Sequence, residues 1–95
     1  MKNLAVSLGA RVLKAMGNEK RLEILFQLLE KEQNVGELEK KVGLSQSALS
    51  QHLAVLRGEN LVKTRREAQT IFYSLHGENV VKVLKLLLEM YQHRY

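Results

Sequence analysis

Residues 43–57, Gly-Leu-Ser-Gln-Ser-Ala-Leu-Ser-Gln-His-Leu-Ala-Val-Leu-Arg, constrain this chain more than any other stretch. Gly43 can take the left-handed conformation that ends one helix, and Ser45 is a strong N-cap for the next. At about 100° of rotation per residue, Leu49, Leu53 and Leu56 fall in one narrow arc and form a core-facing stripe. The opposite arc carries Ser47, Ser50, Gln51 and Ala54, with Gln46 beside it in the first turn. No charge interrupts that outer face. A helix surface meant only for water normally carries Lys and Glu, which combine helix propensity with solubility. Short neutral donor–acceptors are the kind of group that reads base edges, and a small Ala lets a helix sit close to its target. The competing reading is an ordinary amphipathic helix with a neutral face, and the flanking segments decide between the two.

Length and charge set bounds. Ninety-five residues suffice for one domain with a modest core and are few for an enzyme with a deep pocket. A net charge of +5 and a pI of about 9.7 favour an anionic partner without separating nucleic acid from a membrane surface. The absence of cysteine excludes disulfides, thiolate metal sites and thiol redox switching, and a cytoplasmic location fits it. Arg11 and Lys14 interrupt the first apolar stretch, so no signal peptide is visible. The run Val80–Tyr91 is too short and too charged to cross a bilayer, so no membrane partner is expected. With no proline to mark a linker, residues 1–95 read as a single domain.

The remaining segments supply a frame for the central helix. Leu4, Ala5, Leu8, Val12, Leu13 and Met16 keep helical spacing and predict a first helix over 4–15, which Gly17 and Asn18 interrupt. Leu22, Leu25, Phe26 and Leu29 predict a second helix over 19–30, with Lys20 and Arg21 in its first turn as either solvated charges or phosphate contacts. Asn34 and Glu37 resemble a capping box opening a short third helix through Val42, with Val35, Leu38 and Val42 turned inward. Helix, short Gly-containing turn and helix with a neutral outer face is the pattern of a helix-turn-helix.

Beyond the turn at Gly58-Glu59-Asn60 the character changes. Residues 62–67 and 70–75 are β-branched, aromatic and partly alternating, and predict a hairpin closing at Ala68-Gln69. Lys63, Arg65 and Arg66 place three cations there against Glu67, either as a nucleic-acid contact with Gln69 at the tip or as edge charges that deter aggregation. The fold class expected is mainly α with a β-hairpin wing (α+β): four helices, two strands and a fifth helix in a winged helix-turn-helix. That last helix, over about 78–94, gathers Lys82, Lys85, Glu89 and Gln92 on one stripe and is apolar almost everywhere else. A helix docked on one side of a domain needs an apolar arc of only about 100°. A second copy of the chain is the simplest partner for the excess, through Val80, Leu84, Leu87, Leu88 and Tyr91, with Leu8 and Val12 of the first helix joining in.

No catalytic constellation is present: there is no nucleophile elbow, phosphate-cradling Gly loop or zinc-protease motif. His52, His76 and His93 are far apart and lack ligand spacing. His76 reads as structural or solvated, and His93 as a dipole partner at a helix end. His52 can either touch phosphate or bond within the domain. No enzyme, metal or cofactor is expected.

Three segments carry a family resemblance: Asn18-Glu19-Lys20-Arg21-Leu22-Glu23-Ile24-Leu25, the run Leu44–Leu53, and Leu61–Glu67 continuing through Tyr73. Together they resemble the ArsR/SmtB family of bacterial transcriptional repressors over roughly residues 10–92, most of all the branch of NolR, HlyU and the biofilm repressors. The resemblance implies a winged-helix homodimer, joined through its first and last helices, that binds a palindromic operator on double-stranded DNA and represses. It also exposes departures. The metal-sensing members' Cys motif falls on residues 35–42, which hold no thiol. The zinc ligands of the last helix match Gly77, Asn79, Met90 and His93, and the cysteines of sulfur-responsive members match Phe26 and Gln92. The implied output is DNA binding through Gln46, Ser47, Ser50, Gln51, His52, Lys63, Arg65, Arg66 and Gln69, with no inducer assigned. The alternative is a winged-helix module that docks on another protein and no longer binds DNA.

Overall fold

The computed structural model describes residues 2–92. Within them the elements run α1 (Lys2–Met16), α2 (Glu19–Glu30), β1 (Gln33–Asn34), α3 (Val35–Val42), α4 (Gln46–Gly58), β2 (Val62–Glu67), β3 (Thr70–Leu75) and α5 (Glu78–Tyr91). This is the expected winged helix-turn-helix with one short strand added. The expected extension of the last helix to residue 94, and His93 with it, lie outside the described residues.

Local chemistry places each boundary. The Asn18 side chain accepts from the Arg21 N–H at 3.1 Å and starts α2. Asn34 and Glu37 exchange two bonds of 2.9 Å, a complete capping box at the head of α3. Gly43 ends α3 at φ 66°, its N–H donating to the Glu39 carbonyl at 3.0 Å, and the Ser45 hydroxyl accepts from the Ala48 N–H at 3.2 Å to open α4. A non-glycine residue at 43 would carry the steric cost of the left-handed region.

The core gathers around α2, which touches α1, α3, α4, α5 and β3. Ile24, Leu25 and Leu28 are buried on it, with Leu22, Phe26 and Leu29 half-buried. Its apolar arc is therefore broader than the stripe expected from Leu22, Leu25, Phe26 and Leu29, because a central helix has neighbours on several sides. Leu38 and Val42 of α3, and Leu49, Leu53 and Leu56 of α4, pack into the same cluster. Each such aliphatic side chain contributes roughly 1.5–3 kcal/mol on full burial.

The sheet has the order β1-β3-β2, with Gln33↔Tyr73 and Val62↔Leu75 among its antiparallel pairs. β1 adds to the two expected strands and, at two residues, is too short to show any alternation. In β1, Gln33 is fully buried and donates Nε2–H to the Gln27 carbonyl at 2.7 Å, near the end of α2. The β2–β3 turn falls at Ala68-Gln69 as expected, with Ala68 in the left-handed region at φ 56°.

Helix α1 is anchored at one end only. Ala15 and Met16 are buried and Val12 half-buried, whereas Leu4, Val6, Leu8 and Leu13 are 48–66% exposed.

Candidate nucleic-acid interface

The helix-turn-helix α3–α4 presents the neutral face that its sequence promised. Leu49, Leu53 and Leu56 are buried, which turns Ser47, Gln51 and Ala54 outward and leaves Gln46 and Ser50 exposed on the adjoining flank. On that flank Ser50, Leu53, Ala54, Arg57 and Gly58 meet Tyr73 of β3 in a shallow groove of about 390 Å³. Arg57 is exposed and joins a cation to the neutral face; it was not among the expected contact residues. The signal was available, since Arg57 stands seven positions after Ser50 and so shares its side of the helix.

His52 lies on the other flank and is half-buried. Its Nδ1 is 3.3 Å from Nη1 of Arg21, a contact within the domain, which is one of its two expected roles. The basic pair of α2 is also spent internally. Lys20 donates to the Val42 carbonyl at 3.0 Å and pairs with Glu23 at 3.2 Å. Arg21 donates through Nε to the Ala15 carbonyl and through Nη2 to the Lys14 carbonyl. These two side chains satisfy carbonyls at the C-terminal ends of α3 and α1, where a cation also suits the helix dipole.

The three expected cations of the wing do not share one face. Residues paired across a sheet share a face, and neighbours along a strand do not. Arg66 pairs with Ile71 and so shares the face of Tyr73, the residue that borders α4. Lys63 and Arg65 occupy the opposite face, paired with Ser74 and Phe72. Arg65 is not a free cation. Its guanidinium holds Glu32 at 2.7–2.9 Å and Glu67 at 2.8 Å, and lies 4.5 Å from the centre of the Phe72 ring. Its pKa is pushed further above the ordinary arginine value, first by the hydrogen bond to Glu32 and then by that to Glu67. A phosphate contact by Arg65 would therefore compete with Glu32 and Glu67 for the same guanidinium. Among the described residues Lys63 and Arg66 have no such partner and are exposed. Gln69 is exposed and lines a cleft of about 390 Å³ with Asn34, Val35, Gly36, Thr70 and Ile71, where the wing turn meets the head of α3.

The residues expected at a dimer contact divide in two. Val80 and Leu84 are 1% and 0% exposed, packed into the protomer's own core, and have no surface left for a second chain. The period of 3.6 that makes α5 amphipathic turns them inward. Leu8, Leu88 and Tyr91 are exposed, Val12 and Leu87 half-buried, and Leu86 and Met90 add surface that the expectation omitted. Leu22, Phe26, Leu87, Leu88, Tyr91 and Gln92 line an apolar groove of about 480 Å³ between α2 and α5. Phe26 and Gln92, the counterparts of the sulfur sensors' cysteines, therefore stand at one groove without a thiol. His76 is exposed at the strand-to-helix corner, its N–H donating to the Leu61 carbonyl at 2.9 Å. No group of three or more His, Cys, Asp or Glu side chains among the described residues could hold a metal ion. No helix among them is long and apolar enough to cross a membrane.

Comparison with known proteins agrees with this geometry. Residues 18–64, from the cap of α2 to the start of the wing, match the arsR family of bacterial regulatory proteins. The transcriptional activator HlyU of Vibrio cholerae is 56% identical over 80 residues, covering 84% of this chain and 74% of HlyU. The crystal structure of NolR from Sinorhizobium fredii superposes with a TM-score of 0.88 at 54% identity, covering 95% of this chain and 90% of NolR. A homodimeric winged helix-turn-helix DNA-binding domain from Mycobacterium bovis, a possible ArsR-family regulator, superposes with a TM-score of 0.85 at 29% identity, covering 99% and 92%. With its helix-turn-helix, its wing and kinship on this scale, the chain belongs to the ArsR family of winged-helix transcriptional regulators.

Proposed function

We propose that the protein binds a palindromic operator as a homodimer and represses transcription there, with no catalytic activity. The observation that carries this reading is the exposed neutral face of α4. Gln46, Ser47, Ser50 and Gln51 offer hydrogen-bond donors and acceptors to base edges, while Arg57, Arg66 and Lys63 supply the charge that phosphates reward. Gln69 reaches DNA from the wing turn. The overhanging first turns of α1 and the exposed apolar side chains on either side of the polar stripe of α5 (Leu88 on one side, Leu86 and Met90 on the other) are the surfaces that a second copy covers.

Two α4 helices related by a twofold axis enter successive major grooves, so the half-sites stand about one helical turn apart. Repression follows where such a site overlaps a promoter. The test is selection of bound fragments from the host's genomic DNA with purified protein. An enriched imperfect palindrome with that spacing is the expected result; no enrichment over random fragments would refute the reading.

A further inference from the structure

Helix α1, which the proposed dimer uses, and helix α4, which faces DNA, are poorly packed against each other along much of their length. A cleft of about 400 Å³, lined by Arg11, Lys14, Ala15, Arg21, Val55 and Glu59, lies between them. Polar side chains span it instead. At the far end of α4, Arg11 pairs with Glu59 at 3.2 Å, an exposed pair of the kind that contributes little. At the middle of α4 the tie is Arg21. Its half-buried guanidinium is fixed on the carbonyls of Ala15 and Lys14, and its remaining arm meets Nδ1 of His52 at 3.3 Å.

We infer that Arg21 is a positioning residue for the DNA-reading helix, acting through His52. A guanidinium donates and never accepts, so Nδ1 of His52 is the acceptor and the ring proton sits on Nε2. His52 lies one residue from Gln51 and borders the buried stripe of Leu49, Leu53 and Leu56. With Leu49, Leu53 and Leu56 already anchoring α4, a bond at that point refines the helix's rotation and its height above α1. Base-edge hydrogen bonds depend on both distance and angle, whereas charge attraction to phosphates tolerates small displacements. Loss of the tie therefore costs reading far more than it costs general affinity. The inference rests on α4 being the reading helix, and the tests separate the two.

The first arm is long-range proton–nitrogen NMR of the imidazole in the full chain at about pH 8, where an ordinary histidine is neutral. The wild type is expected to show Nδ1 bare and Nε2 protonated, and Arg21→Met, which removes the donor, to show a mixture of tautomers. A wild-type ring protonated on Nδ1 overturns the inference.

The second arm measures binding to a duplex carrying the selected operator and to a random duplex of equal length. His52→Leu is expected to lose about tenfold on the operator, the size of one hydrogen bond to a charged group, with random DNA unchanged. His52→Asn, whose side-chain oxygen can sit near the place of Nδ1, is expected to restore operator affinity. Equal losses on both duplexes would make His52 a phosphate contact, and no loss or no rescue by Asn would make the bond incidental; each overturns the inference. Should His52→Leu fail to fold, His52→Gln, which carries its acceptor one bond further out, takes its place with the same expected loss. A wild type that does not distinguish the two duplexes refutes the reading of α4, and the inference with it, while the NMR arm still shows whether the Arg21 bond exists.

Discussion

Helices α4 and α5 are alike in length and in how they dock, and differ in what they leave outside. Leu49, Leu53 and Leu56 anchor α4, and Val80 and Leu84 anchor α5. Beyond the anchors α4 shows Ser47, Ser50, Gln51 and Ala54, all neutral and small or hydrogen-bonding, whereas α5 shows Leu86, Leu88 and Met90 around a stripe of Lys82, Lys85 and Glu89. An apolar flank gains free energy only by leaving water, so it calls for another apolar surface. A Ser/Gln flank gains nothing from burial alone and needs partners for its donors and acceptors. The same scaffold thus carries one outer surface that suits an apolar partner and one that suits a hydrogen-bonding partner, and the core face of each says nothing about which is which.

The largest expected effect tests the anchors. Leu84→Ala should destabilise the fold by about 2–5 kcal/mol in denaturant unfolding, the cost of a cavity in a packed core. A loss confined to self-association would return Leu84 to the interface. Next comes the apolar flank. Leu88→Glu combined with Met90→Glu should leave the protomer folded and weaken the dimer by about 2 kcal/mol or more, read by sedimentation equilibrium. An unchanged dimer would move the interface away from α5.

The neutral flank predicts a smaller loss of a different kind. Gln51→Ala should cost about 1–3 kcal/mol on the operator and almost nothing on random DNA in equilibrium titrations. A uniform loss on both would make α4 a phosphate-binding helix. The wing sharpens the contrast further. Arg66→Ala should reduce the salt slope of binding by about one, while Arg65→Ala, whose guanidinium is paired with Glu32 and Glu67, should reduce it by less. The last expectation is no effect at all. Zinc, titrated at fixed salt, should not release the operator, since the segment 35–42 and the groove between α2 and α5 offer no thiol. Reversible, stoichiometric release by zinc would direct attention to His76 and His93.

Much of this was legible in the chain itself. Caps at Asn18, Asn34, Gly43 and Ser45 and the stripe of Leu49, Leu53 and Leu56 involve partners within four or seven residues, so the sequence determined the helices, the turn and the outward face of α4 without reference to the rest. The hairpin was readable too, even though its turn lacks an Asn-Gly pair and places Ala68 in the left-handed region. The strand β1 was not, because two residues carry no period and its partner on β3 is forty residues away (Gln33 with Tyr73).

Which cations are free was decided only by the tertiary structure. Glu32 reaches Arg65, Val42 reaches Lys20 and His52 reaches Arg21 across separations of 33, 22 and 31 residues. An arginine in a sequence is one charge and five donors whatever its surroundings. Whether it meets DNA or a carbonyl depends on which acceptor the fold brings within about 3 Å, and that is set by how helices and strands stack. The burial of Val80 and Leu84 has the same origin: both are apolar in any reading, and only the docking of α5 against the core separates them from Leu86 and Leu88.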